Sequence, residues 1–205
     1  MKLWWCVFFV ISIVVASVSL PNNGWTQENQ EPAREYVSSK QCKLCHNKPD
    51  EGAQYAAWES AQHSRAFETL LSDEALVIAK EKALAEPPSE SASCLRCHVT
   101  GYDPVTKAHP EKLRMEDGVQ CDSCHGPGSA HMADGKVLRM NKDADIDVMA
   151  NLVMPGEKTC VACHNADNPT WDPERYVNDS GETSGFDFDQ AFKIISHTNP
   201  KKSAK

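Results

Sequence analysis

Apolar and polar positions are spread unevenly along the chain. Leu3 to Leu20 is a nearly unbroken apolar run, and Lys2 is the one charge before its end. Small residues gather at the C-terminal end of the run, around Ser17-Val18-Ser19, so residues 1–20 read as an export signal. The run is also long enough to span a bilayer, and a retained N-terminal anchor is the alternative. Cys6 lies within it and reads as one more apolar residue. Residues 21–34 are polar, show no hydrophobic period and read as a flexible lead-in.

Beyond the lead-in, helical periods recur. Trp58, Ala61 or Gln62, Arg65 and Glu68 fall at helical spacing and predict one amphipathic helix over Ala53 to Leu71. Ser72 predicts the N-cap of a second helix running to about Glu86, with Asp73 and Glu74 in its first turn and Pro87-Pro88 ending it. Ser89 to Gly128 reads as loop-rich. Ser129 to Ala133 predicts at most a short helix, ended by Gly135, and Asp145 to Val153 predicts another. Pro169 to Gly185 looks irregular, and Phe188 to His197 predicts a last helix. No segment alternates as a strand should. The pattern therefore predicts a mainly α, loop-rich domain over 35–200 with little or no sheet, followed by a basic tail at 201–205.

Candidate chemistry changes this picture. Eight of the nine cysteines form four Cys-x-x-Cys pairs, each followed directly by histidine: Cys42, Cys45 and His46; Cys94, Cys97 and His98; Cys121, Cys124 and His125; Cys160, Cys163 and His164. Two thiols three residues apart on one helical turn span the two vinyl groups of a heme, and the next residue projects beneath the macrocycle to bind iron. Paired Cys-x-x-Cys motifs also build zinc sites, but zinc requires no histidine at the next position. A thioredoxin-like redox pair fits neither the repetition nor the helix-and-loop context. Chance predicts roughly 0.015 such pentapeptides at this chain's composition. The expectation is a chain wrapped around four covalently bound heme c groups. The motif starts show no fixed repeat period.

Charge narrows the partners. The 205-residue chain has 21 Lys+Arg against 29 Asp+Glu, a formal net charge of -8, which makes nucleic acid an unsuitable partner. Aromatic residues make up only 7%, a lean supply for a core that heme would help to fill.

Eight histidines match the eight axial positions of four irons. His46, His98, His125 and His164 are proximal by position, which leaves His63, His109, His131 and His197. Methionine is the rival sixth ligand and would raise the potential. Met115, Met132, Met140, Met149 and Met154 are available, and their spacing singles none out.

Two pieces of sequence carry a family resemblance: Gly118-Val119-Gln120-Cys121-Asp122-Ser123-Cys124-His125-Gly126-Pro127-Gly128, and Trp58-Glu59-Ser60-Ala61-Gln62-His63. Over about Lys40 to His197 the chain resembles the tetraheme cytochrome c-554 family, electron acceptors of hydroxylamine oxidoreductase. The first piece also occurs in larger multiheme oxidoreductases. The resemblance implies stacked heme pairs, three bis-histidine hemes and a five-coordinate second heme. Carried over, His63 caps the fourth heme opposite His164, His131 the first opposite His46, and His197 the third opposite His125. His109 has no counterpart. It lies in a solvated loop near Lys107, Glu111 and Lys112, and would either close the second iron or stand beside its open face as a proton donor.

Two functional readings follow. The first is a periplasmic electron-transfer protein docking on redox partners that carry a basic patch, since heme propionates add to the negative charge. The alternative is an enzyme reducing nitric oxide, or a related small nitrogen oxide, at an open second heme. An N-terminal anchor would be the one route to the membrane and would favour a subunit feeding electrons to a quinone enzyme. Lys201, Lys202 and Lys205 read as a solvated tail.

Overall fold

Short helices strung on long loops build the chain, because its backbone is repeatedly diverted from its own hydrogen-bond ladder. The computed structural model describes residues 33–197. The expected export signal, nearly all of the lead-in and the basic tail lie outside the described residues.

The helices are α1 (Ser39–His46), α2 (Gln54–Ser60), α3 (Ala66–Thr69), α4 (Asp73–Glu81), α5 (Ala92–His98), α6 (Cys121–His125), α7 (Ser129–Met140), α8 (Glu157–Val161) and α9 (Phe188–Ile195). One antiparallel pair, β1 (Tyr176–Val177) and β2 (Thr183–Ser184), joins Tyr176 to Ser184 and Val177 to Thr183. This two-residue ladder lies in the stretch expected to be irregular. The described chain is otherwise helix and loop, the mainly α class that the periodicity predicts.

Local chemistry explains where helices start. The Ser72 hydroxyl accepts from the Ala75 N–H at 3.1 Å and caps α4, with Asp73 and Glu74 against the positive end of its dipole. Asp187 caps α9 in the same way, accepting from the Gln190 N–H at 2.9 Å.

Several expected boundaries are wrong. The single helix over Ala53 to Leu71 breaks at Ala61, which is extended (ψ 158°), and continues as a 3-10 turn over Gln62–Arg65 and then α3. The His63 carbonyl accepts from the Val119 N–H at 2.9 Å as well as from the Ala66 N–H of its own turn. α4 stops short of the proline pair because Ala83 is left-handed (φ 52°), and the Leu84 N–H closes back on the Ala79 carbonyl at 2.9 Å. α7 runs straight through Gly135 to Met140. A mid-helix glycine costs about 1 kcal/mol against alanine, and here that is not enough to end the helix. Asp145 to Val153 forms turns rather than a helix.

The buried apolar core is small. Leu70, Leu95 and Val99 form its centre, with Phe67, Cys94, Tyr102 and Met115 packed around it. It joins α5 to the α3–α4 corner. Leu95 is 3% exposed, and Leu95→Ala should destabilise the folded protein by about 3 kcal/mol through the cavity left behind. Chemical denaturation followed by circular dichroism measures this. A loss under ~1 kcal/mol would show that the cluster contributes little.

Candidate heme centres

A helical turn places residues i, i+3 and i+4 on one face. α1, α5 and α6 each end on a motif histidine and present two cysteines and one imidazole together. The fourth motif starts in the last turn of α8, and the His164 N–H bonds the Cys160 carbonyl at 2.9 Å, which keeps the same turn.

The structure brings the other histidines to these turns in pairs. Ring centroids of His46 and His131 are 5.9 Å apart, those of His63 and His164 6.0 Å, and those of His125 and His197 5.8 Å. Metal–imidazole bonds of about 2 Å on opposite sides of one metal put the two ring centroids roughly 6 Å apart. All three spacings are of the size such a metal requires. Among the described residues no imidazole stands opposite His98 at that spacing. His109 is bonded to the Thr100 backbone instead, and its Nε2 is buried with no hydrogen-bond partner.

Acceptors on the far side orient the rings. His98 Nδ1 lies 2.6 Å from the Ala66 carbonyl and 3.2 Å from the Thr69 hydroxyl. His125 Nδ1 lies 2.9 Å from the Val153 carbonyl, His131 Nδ1 2.9 Å from the Val148 carbonyl, and His46 Nδ1 3.2 Å from Gln54 Oε1. A proton donated from Nδ1 to a carbonyl leaves Nε2 with the lone pair a metal needs. Burial lowers the pKa of His46, His63, His164 and His197 and keeps them neutral. These acceptors escaped the sequence reading, since a backbone carbonyl has no residue signature.

The motifs also touch one another. The Cys42 and Cys121 side chains lie beside each other, as do those of Cys97 and Cys163. The first motif thus meets the third, and the second meets the fourth. The first contact is reinforced by a buried strip: the Val37 N–H donates to Asp122 Oδ2 at 2.6 Å and the Ser39 N–H to Gln120 Oε1 at 2.9 Å. At the second, the Arg96 guanidinium donates to Asp167 at 3.1 Å.

Cysteine turns that present paired thiols and an imidazole, with second imidazoles arriving from distant segments, define a c-type cytochrome. A family model described as cytochrome c554 and c-prime matches residues 41–126, a span that holds the first three motifs. Cytochrome c-554 of Nitrosomonas europaea is 27% identical over 179 residues, 80% of this chain and 72% of that protein. The solved reduced state of cytochrome c554 from the same organism aligns with 85% of this chain and 84% of its own at 22% identity, with a TM-score of 0.44. In sequence the chain is similar to the cytochrome c554 family, a likeness that implies heme c with iron as the cofactor.

Asp122 gives a pH test of the buried strip. Burial outweighs its hydrogen bonds from Val37 and Gly128 and raises its carboxyl to about 6. An unfolded aspartate titrates near ~3.9, so the folded state holds this proton more tightly. The stability it contributes is full below the unfolded value and is lost as pH rises through about 6. The thermal midpoint of Asp122→Asn should lack that fall between about 4 and about 6. A variant whose midpoint falls as the parent's does would remove Asp122 as its source.

Proposed function

We propose that the chain is an exported, periplasmic tetraheme cytochrome that passes electrons between redox proteins. The observation that carries this reading is the set of three imidazole pairs at 5.8–6.0 Å, each joining one motif histidine to a histidine far away in sequence. Heme c supplies a one-electron iron couple whose potential depends on its axial ligands and their hydrogen bonds.

The cysteines at 42 and 45, 94 and 97, 121 and 124, and 160 and 163 would hold four such groups. His46 with His131, His125 with His197, and His164 with His63 would ligate three irons, and His98 alone the second. Imidazole on both sides favours lower potentials than a methionine would, and the Nδ1 acceptors make each ligand more basic. Contacts between the first and third motifs, and between the second and fourth, keep the attachment points close, as electron passage between centres needs. The acidic surface suits a partner with a basic patch, met at a rate that falls with salt. Export rests on the apolar run at residues 1–20. The open side of His98 is what a nitric oxide reductase reading would need, and electron transfer does not depend on it.

Mass spectrometry should find the apoprotein plus four heme masses. A tightly bound zinc without heme absorbance would overturn the reading. His63→Ala, His131→Ala and His197→Ala should each convert one low-spin heme to high-spin in the electron paramagnetic resonance spectrum with covalent heme retained. Three parent-like spectra would overturn the ligand pairs. Carbon monoxide added to the reduced parent should occupy one site per chain, and no uptake would show that the second iron is closed.

A further inference from the structure

The loop that leads into the third motif lies against a different centre. Gly118 has φ +66° and ψ -140°, backbone that residues with a Cβ rarely adopt. A Cβ there would stand 2.8 Å from the His63 carbonyl oxygen, 3.1 Å from the Ala66 nitrogen and 3.1 Å from the Ser64 carbonyl oxygen. All three are backbone atoms of the turn that carries His63, so no side chain can swing aside to make room.

The Gly118 peptide is itself held in place. Its N–H donates to the Met115 carbonyl at 3.0 Å, and its carbonyl accepts from the Thr100 N–H at 3.2 Å and the Thr100 hydroxyl at 3.1 Å. The next residue completes the grip: the Val119 N–H donates to the His63 carbonyl at 2.9 Å, and its carbonyl accepts from Trp58 Nε1 at 2.8 Å. With the loop fixed by these bonds, a side chain at 118 displaces the turn over 63–66 instead.

From this packing we infer that Gly118 is a positioning residue for His63, and so for the ligand pair of the fourth motif, although it stands three residues before the third. The inference rests on the pairing of His63 with His164 proposed above. The absence of a side chain lets Val119 reach the His63 carbonyl, which fixes the turn and sets where its imidazole arrives. Gln62–Arg65 is a 3-10 turn whose His63 carbonyl is shared between the Ala66 N–H of the turn itself and the Val119 N–H from outside.

The test compares His63→Ala, Gly118→Ala and the double variant by electron paramagnetic resonance, with heme content checked by mass. His63→Ala should add one high-spin heme to the parent count, Gly118→Ala should add one, and the double variant should still add only one, since both act on one iron. A parent-like Gly118→Ala spectrum overturns the inference. So does a double variant with two extra high-spin hemes, which would mean that Gly118 serves another iron. If His63→Ala itself leaves the spectrum unchanged, the ligand pairing is what has failed. Should Gly118→Ala not accumulate with four hemes, Trp58→Phe removes the indole bond to Val119 while keeping an aromatic ring at that position. It should raise the high-spin fraction on warming above the parent's, and a parent-like response overturns the inference.

Discussion

An imidazole must lie within about 6 Å of its partner across a shared metal, and most of the architecture can be understood from that distance. Among the described residues few apolar side chains are buried: Val37, Tyr55, Leu70, Ala79, Leu95, Val99 and Leu113. Fixing one residue's backbone costs about 1–2 kcal/mol, and so small an apolar core offsets little of that for a domain of this length. On the proposed reading, cofactor and ligand bonds provide the cohesion that side-chain packing provides elsewhere. Secondary structure is short because it only has to deliver groups to irons.

That demand explains why the backbone so often leaves its own ladder. The carbonyls of Ala66, Val148 and Val153 all face histidine Nδ1 atoms. The Val153 N–H also donates to the His125 carbonyl at 2.9 Å, so this residue embraces His125 from both sides. A helix over 145–153 would have turned both valine carbonyls inward along its axis. Ring orientation takes precedence over helical hydrogen bonding in this segment.

The same exchange separates what was readable in the residues from what was not. The cysteine turns, the Ser72 cap and the final helix each advertise themselves through side chains at fixed offsets. The interruption at Ala61 does not, and the amide that bonds the His63 carbonyl just beyond it comes from Val119, far along the chain. Gly135 reads as a stop in the sequence, yet a Cβ there would meet nothing within 4 Å and α7 continues past it to Met140. The adjacent side chains of Cys42 with Cys121 and of Cys97 with Cys163 were invisible for another reason: which motifs become neighbours is settled by loops without periodicity. The pairing of distant histidines with motif histidines is implied by the family resemblance, not by spacing.

The histidine pairs also have a consequence for how the chain reaches this state. Each joins segments separated by long stretches of sequence, so each closes a large loop late in assembly. On the proposed ligation, until those loops close any free imidazole would compete for any vacant iron. His109 and the partners of other centres are then decoys, and wrong ligation is a kinetic trap of the kind that slows domains rich in non-local contacts. α7 limits that traffic for the first centre. It carries His131 on a rigid rod, and its Arg139 guanidinium donates to the Leu44 carbonyl within the first motif at 3.1 Å. This hydrogen bond docks the rod beside the first motif and narrows the volume its imidazole must search.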